Sequence, residues 1–152
     1  MIIVRPAVVA DAQAMSDLLV ASITALCVAD HGNRPEAVVP WLSNKTPDGI
    51  RAWFANPDNR LFVAEHDGAL AAAGACNGGR EIILNYVSPG HRFVGASTAL
   101  LTAMEQALGP GEATLTSTTT AHRFYLNRGW QDAGAVERYA GMVVYPMRKM
   151  LG

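Results

Sequence analysis

Between Tyr86 and Leu108 the chain carries the residues best suited to hold an anion. A β-branched and aromatic run ends at Ser88-Pro89-Gly90, a short loop with His91 and Arg92 follows, and Gly95 opens a segment with helical apolar spacing. Ala96, Leu100, Met104 and Leu108 lie four apart, with Ala99, Ala103 and Ala107 beside them, while Thr102, Glu105 and Gln106 point away. The pattern predicts strand, tight loop and helix N-terminus. The first turn of such a helix has N–H groups with no intrahelical partner, and the macrodipole adds positive charge there, so a phosphate suits it. His91 and Arg92 make the loop a small positive cluster.

The elements that must position this loop follow from periodicity and turn chemistry. Ile2 to Arg5 reads as a strand. Asp11 to about Ala29 reads as one long amphipathic helix, with Met15, Leu18, Leu19, Ser22, Ile23 and Leu26 at three- and four-residue spacing, closed by His31-Gly32-Asn33-Arg34-Pro35. Two short helices are expected over 35–54, the second with Thr46 as N-cap, Pro47 at its first position and Ile50, Trp53 and Phe54 as its apolar stripe. Leu61 to Glu65 and Ala69 to Cys76 form a hairpin about Asp67-Gly68, and the Ala-rich second strand implies close packing over it. After the turn at Asn77-Gly78-Gly79 comes the strand Glu81 to Val87. Gly109-Pro110-Gly111 stops the central helix, Ala113 to Ser117 is a strand, Ala121 to Arg128 a short helix capped by Gly129. Two final strands run from about Trp130 to Arg138 and from Met142 to Leu151. This order implies a mixed sheet in an α/β (α+β) domain.

At 152 residues, half of them apolar, the chain has the size of one domain, taken as 1–152, with material for a substantial core. A net charge of −1 and no run of Lys or Arg argue against a nucleic-acid partner. No segment approaches ~20 uninterrupted apolar residues and the N-terminus lacks a signal-peptide pattern, so a soluble cytoplasmic protein with no membrane partner is expected. Cys27 and Cys76 have no metal-ligand spacing and read as buried reduced thiols; no metal is expected.

Two motifs in order carry a family resemblance. Val87-Ser-Pro-Gly-His-Arg92-Phe-Val-Gly95-Ala-Ser97 and Ala121-His-Arg-Phe-Tyr125-Leu-Asn-Arg-Gly129-Trp130, on this element order, resemble the GNAT superfamily of acetyl-CoA-dependent N-acetyltransferases across nearly the whole chain. The resemblance implies a mostly antiparallel central sheet of about seven strands flanked by helices on both faces. It also implies acetyl-CoA as co-substrate and a primary amine, of a small molecule or a peptide, as acceptor. The family loop is Gln/Arg-x-x-Gly-x-Gly/Ala, and here Ser97 stands at its last position. Backbone N–H groups must approach a pyrophosphate there, which small residues permit. The cofactor-side residues implied are Tyr86, Val87, Arg92, Phe93, Val94, Gly95, Ala96, Ser97, Thr98, Thr118 and His122, with Thr118 where the family has Asn.

By the same resemblance Tyr125 is the acid. Expelled coenzyme A leaves as a thiolate, and transfer from a phenol near ~10 to a thiolate near ~8.5 is modestly uphill. Glu81 falls where some members carry a glutamate base, the other route being a chain of waters; near ~4.3 a carboxylate is a poor base unless burial raises it. Strand alternation places Glu81, Ile83, Asn85 and Val87 on one face, unless a bulge breaks the parity. Asn85 and His31 are the substrate-side residues, with His31 also readable as a surface residue at a helix end and Trp41 as core. His122 lies near the face of Tyr125 and either tunes it, touches phosphate or is solvated. Homodimerisation is expected through the C-terminal strands, with Val143, Val144 and Tyr145 as an apolar edge, and a monomer remains open. The alternative to an enzyme is an acyl-CoA-binding or regulatory domain of this fold without turnover, suggested by Ser97 and Thr118. A P-loop nucleotide binder is disfavoured because its Lys-Ser/Thr pair is absent.

Overall fold

A computed structural model describes residues Met1–Gly152. One hairpin shows how local chemistry sets the sheet: Asp67 and Gly68 both have positive φ, 52° and 87°, the turn that matches the twist of two antiparallel strands. It joins β2 (Asn59–His66) to β3 (Ala69–Asn77), β1 (Ile2–Pro6) pairs with β2, and β4 (Glu81–Val87) pairs with β3, all antiparallel. The one parallel pair joins β4 to β5 (Gly111–Thr118). Beyond it β8 (Met142–Leu151) pairs antiparallel with all of β5 through Val144–Leu151. The mixed, mostly antiparallel sheet thus has eight strands, against about seven expected, in the order β1-β2-β3-β4-β5-β8-β6 with β7 also on β8.

The extra strand arises because the segment expected as one strand from Trp130 to Arg138 is two short ones, β6 (Gln131–Asp132) and β7 (Glu137–Tyr139), separated at Gly134 with φ 116°. Both pair with β8. Val144 therefore lies between β5 and β7, with Val143 paired to β7 and Tyr145 to β5, so the three do not form the free edge expected for a dimer contact.

Helices cover both faces. On one lies α5 (Ala96–Leu108), whose Leu100, Leu101 and Met104 join Ala72, Cys76, Leu115 and Met147 in the larger core cluster. Gly74 of β3 allows this approach: a Cβ there would lie 2.9 Å from both Leu100 Cδ2 and the Leu84 carbonyl oxygen. That is why the strand is rich in Ala and Gly. On the other face Met15, Leu18 and Leu19 of α1 (Ala12–Leu26) and Ile50 of α4 (Pro47–Ala55) pack on Val63, Ala73, Ala75 and Leu84. The segment Val9–Leu26 is apolar and long enough by composition to cross a membrane, yet here its apolar stripe is core. Thr46 caps α4 by accepting from the Gly49 N–H at 3.0 Å.

The helix expected from Asp11 to Ala29 is broken. Cys27, at φ −103° and ψ 25°, ends α1 and starts the single turn α2 (Val28–His31), which leads to α3 (Pro35–Leu42). The far end of α5 is held by Arg80, which donates to the carbonyls of Leu108, Gly109 and Glu112 at 2.7 to 2.8 Å. A cation on a helix C-terminus complements its dipole and leaves the positive N-terminus for the site.

Candidate functional site

The strands β4 and β5 pair only at Glu81↔Thr114 and Ile82↔Leu115 and then diverge. Divergence opens a cavity of about 590 Å³ between the C-terminal halves of the two strands, closed by α1, by the loop before α5 and by α6 (Thr119–Leu126). Strand edges that part inside a protein leave backbone donors and acceptors in want of partners, which a ligand with amide groups can supply.

The loop before α5 meets this cavity. Gly95, at φ 89°, is the N-cap of α5, and no side chain caps the helix or adds an acid to its first turn. Arg92, Phe93, Gly95, Ala96, Ser97 and Thr98 line the cavity; Val94 does not. Phe93 adopts φ 65° and is 92% exposed, a strained conformation that turns its backbone into the loop's tight bend. A cation that the sequence reading missed completes this end. Arg128 donates to Thr98 Oγ1 at 2.8 and 3.1 Å and to the Phe124 carbonyl at 3.0 Å, and lies 3.8 Å over the Phe124 ring. Its position three residues after Tyr125, one turn along the chain, was the available signal. Neither Arg128 nor Arg92 pairs with a carboxylate.

Tyr125 lies in the same cavity wall, only 6% exposed, set by edge contacts with Phe124 and Trp130. Burial pushes its phenol up to about 12, and the Asn85 amide beside it works in the opposite direction. Asn85 Oδ1 is buried, lines the cavity region and has no hydrogen-bond partner; the same holds for His91 Nδ1. Cys27 also lines the cavity, and burial pushes its thiol up to about 12. Thr118 lies in the lining, but its Oγ1 accepts from the Ala121 N–H at 3.1 Å, so this Thr serves as N-cap of α6.

A smaller cavity of about 290 Å³ adjoins the first and shares Tyr86 and Thr118 with it. Trp41 lines it and donates from Nε1 to the Tyr86 hydroxyl at 3.3 Å, so Trp41 is wall rather than core. Tyr86 reaches into both cavities, with Val87 behind it in the larger one. Burial raises the Tyr86 phenol well above its usual range.

Besides Val94, three predicted site residues lie elsewhere. A bulge in β4 pairs Ala75 with Leu84 but Cys76 with Ile82, leaving Ile83 unpaired. Asn85 and Val87 therefore face α5, while Glu81 faces the opposite side and is absent from the cavity lining; its carboxylate is approached by Asn77 Nδ2 at 3.5 Å. His31 is neither at the surface nor in a cavity. It is fully buried, with Nε2 donating to the Ile23 carbonyl at 2.8 Å and Nδ1 accepting from the Asn33 N–H at 2.9 Å, a pairing that needs the neutral ring. Its edge contact supports Trp41. His122 stacks on Tyr145 at 3.8 Å and bonds Asp132 at 2.7 Å, outside the cavity.

Residues 15–151 match the family model described as an acetyltransferase (GNAT) domain. Among solved structures, the fold is similar to a GCN5-related N-acetyltransferase from Rhodopseudomonas palustris, at 22% identity over 98% of this chain and 95% of that one, with a TM-score of 0.85. It is also similar to the PaiA N-acetyltransferase of Thermoplasma acidophilum, solved in complex with coenzyme A, at 17% identity over 99% of each chain and a TM-score of 0.76. A histone acetyltransferase HPA2-related protein from Corynebacterium glutamicum matches at 16% identity over 99% and 97%, with a TM-score of 0.72. No curated protein matches the chain in sequence.

Proposed function

Since the chain belongs to the GNAT acetyltransferase family, we propose that it moves the acetyl group of acetyl-CoA to a primary amine by direct attack in a ternary complex. One observation carries this reading: the gap between β4 and β5 brings the uncapped N-terminus of α5 and the buried phenol of Tyr125 into a single lining.

The residues fit acetyl-CoA. The free N–H groups of the first turn of α5, with Arg92 and Arg128 beside them, suit a pyrophosphate. Ser97 keeps that approach open, since its side chain is small. Asn85 Oδ1 and His91 Nδ1 are buried polar atoms in want of partners, and the unpaired edges of β4 and β5 suit the amides of a pantetheine arm. When bound, acetyl-CoA supplies the thioester, whose C–S bond breaks as the amine nitrogen bonds the acetyl carbon.

Tyr125 holds the proton that the departing sulfur takes. Its phenol at about 12 looks too weak an acid for a thiolate near ~8.5 in water. The cavity narrows that gap, because burial disfavours a thiolate as it does the phenolate, and it raises the Cys27 thiol in the same lining as well. The amine's own proton leaves through water, as Glu81 has no contact with the cavity. Tyr86 and Thr118, shared by both cavities, mark where an acceptor in the smaller one meets the acetyl group in the larger.

Thiol release from acetyl-CoA with a panel of amines tests the reading. Wild type turns over at least one amine, and Tyr125→Phe loses about 10²- to 10⁴-fold in kcat while still binding acetyl-CoA. A wild-type protein inert toward every amine would reject it.

A further inference from the structure

The smaller cavity holds two opposite charges that acetyl transfer alone does not explain. Lys45, between α3 and α4, lines it and is only 7% exposed. Its ammonium has no carboxylate partner: Nζ donates to the Trp41 carbonyl at 3.3 Å and to Asn44 Oδ1 at 2.5 Å, both neutral. An ammonium has three N–H donors, so one has no hydrogen-bond partner, and the only other contact is the Trp53 ring, its centroid 6.0 Å away. A lysine with its head out of water and no counter-charge is costly, and long side chains ordinarily avoid it by reaching for solvent. Lys45 does not, and burial holds its ammonium below the usual lysine range.

The opposite charge comes from α2. Asp30 lines the same cavity and accepts from the N–H groups of Thr119 and Thr120 at 2.7 and 3.3 Å, and from the Thr120 hydroxyl. These bonds hold it against the start of α6, next to Thr118, where the two cavities meet. Three of the four acceptor sites of a carboxylate are thereby filled and one is free. Trp41, Tyr86 and Tyr139 form the apolar and aromatic wall.

We propose that the acceptor is a small amine that also bears a carboxylate, held with the carboxylate on Lys45 and the amine toward Asp30 and the Tyr86–Thr118 junction. This deepens the acetyl-transfer reading and rests on it. The ligand's carboxylate gives the buried ammonium its missing partner through a charge-assisted hydrogen bond. Asp30 draws the amine end while it is still an ammonium. The two fixed charges thus allow one orientation, with the nucleophile nearest the larger cavity. A polyamine, or a lysine within a peptide, would bring a second cation toward Lys45 without a compensating anion. The volume, about 290 Å³, lies at the lower end of small-molecule pockets.

The test pairs α-, β- and γ-amino acids with their own carboxamides, so that each pair differs only in the carboxylate. Thiol release from acetyl-CoA is measured with wild type, Lys45→Met and Lys45→Arg, and acetyl-CoA binding is followed by the melting temperature. In wild type at least one amino acid exceeds its carboxamide by about ten- to hundredfold in kcat/KM. Lys45→Met brings that pair together, chiefly through KM, Lys45→Arg keeps the preference, and the acetyl-CoA shift is the same in all three proteins. The wild-type pairs alone decide the matter if Lys45→Met does not fold. Carboxamides equal to or better than every acid, best turnover with a polyamine or peptide amine, or an unchanged preference in Lys45→Met would overturn the proposal. Absence of any acetyl-CoA shift in wild type would overturn the acetyl-transfer reading beneath it.

Discussion

The Asn85 side chain stands beside the Tyr125 phenol, and its amide oxygen is buried with no hydrogen-bond partner. The amide opposes the effect of burial on the phenol, so it makes Tyr125 a stronger acid than it would otherwise be. Asn85→Leu removes that help while keeping the volume. We expect kcat to fall by about three- to tenfold as the influence of the amide on the phenol is lost. An unchanged kcat in steady-state kinetics would detach Asn85 from Tyr125.

The pH profile follows from the direction of the same shift. Tyr125, raised to about 12, stays protonated throughout the working range. The acceptor amine, near ~10, must lose its proton. Thus kcat/KM rises with pH toward about 10 with no descending limb from Tyr125 below that value. A bell whose alkaline limb near pH 9 persists in Lys45→Met would mean a different acid.

Two glycines separate ligand binding from packing. At Gly95 an added Cβ meets nothing within 4 Å, but the φ of 89° is one a branched side chain resists. Gly95→Val is expected to reshape the α5 N-terminus and to abolish stabilisation by acetyl-CoA while the rest of the fold persists. At Gly74 the added Cβ strikes Leu100 and the Leu84 carbonyl, so Gly74→Ala lowers stability by about 1–3 kcal/mol through overpacking. Melting curves with and without acetyl-CoA distinguish the two effects.

Three buried groups weaken the fold at alkaline pH. Tyr86, Tyr125 and Cys27 all have folded-state values raised above the ordinary 10.0 and 9.0. Groups raised in this way contribute stability that is fully present below the unfolded-state value and is lost as pH climbs through the folded one. Urea midpoints are therefore expected to be insensitive to these groups up to about pH 9 and to fall between pH 9 and 12. Lys45, whose ammonium burial lowers, contributes in the opposite sense, so the decisive chain is Lys45→Met: a midpoint rising over that interval there contradicts the burial of these side chains.

Much of this was legible in the sequence because it is written locally. The Thr46 cap, the Asp67-Gly68 hairpin and the Gly95 helix start depend on residues a few positions apart. What was not legible depends on pairing between distant segments. The bulge at Ile83 is set by β3, and it moved Glu81 off the face of Asn85. His31 is buried because Ile23 and Asn33 satisfy its ring, and β8 is interior because β6 and β7 return to cover it. Lys45 carried no sequence signal at all: a lone lysine between Asn44 and Thr46 is ordinarily solvated, and only the packing around it takes it out of water.

The most direct measurement is the melting temperature with acetyl-CoA or with ATP, for wild type and Arg128→Ala. At about 100 times its dissociation constant acetyl-CoA contributes about 2.7 kcal/mol, a shift of roughly 5–10 °C for a chain of this size. The account predicts that shift in wild type, a smaller one in Arg128→Ala, and none with ATP. Stabilisation by ATP with no response to acetyl-CoA would contradict it.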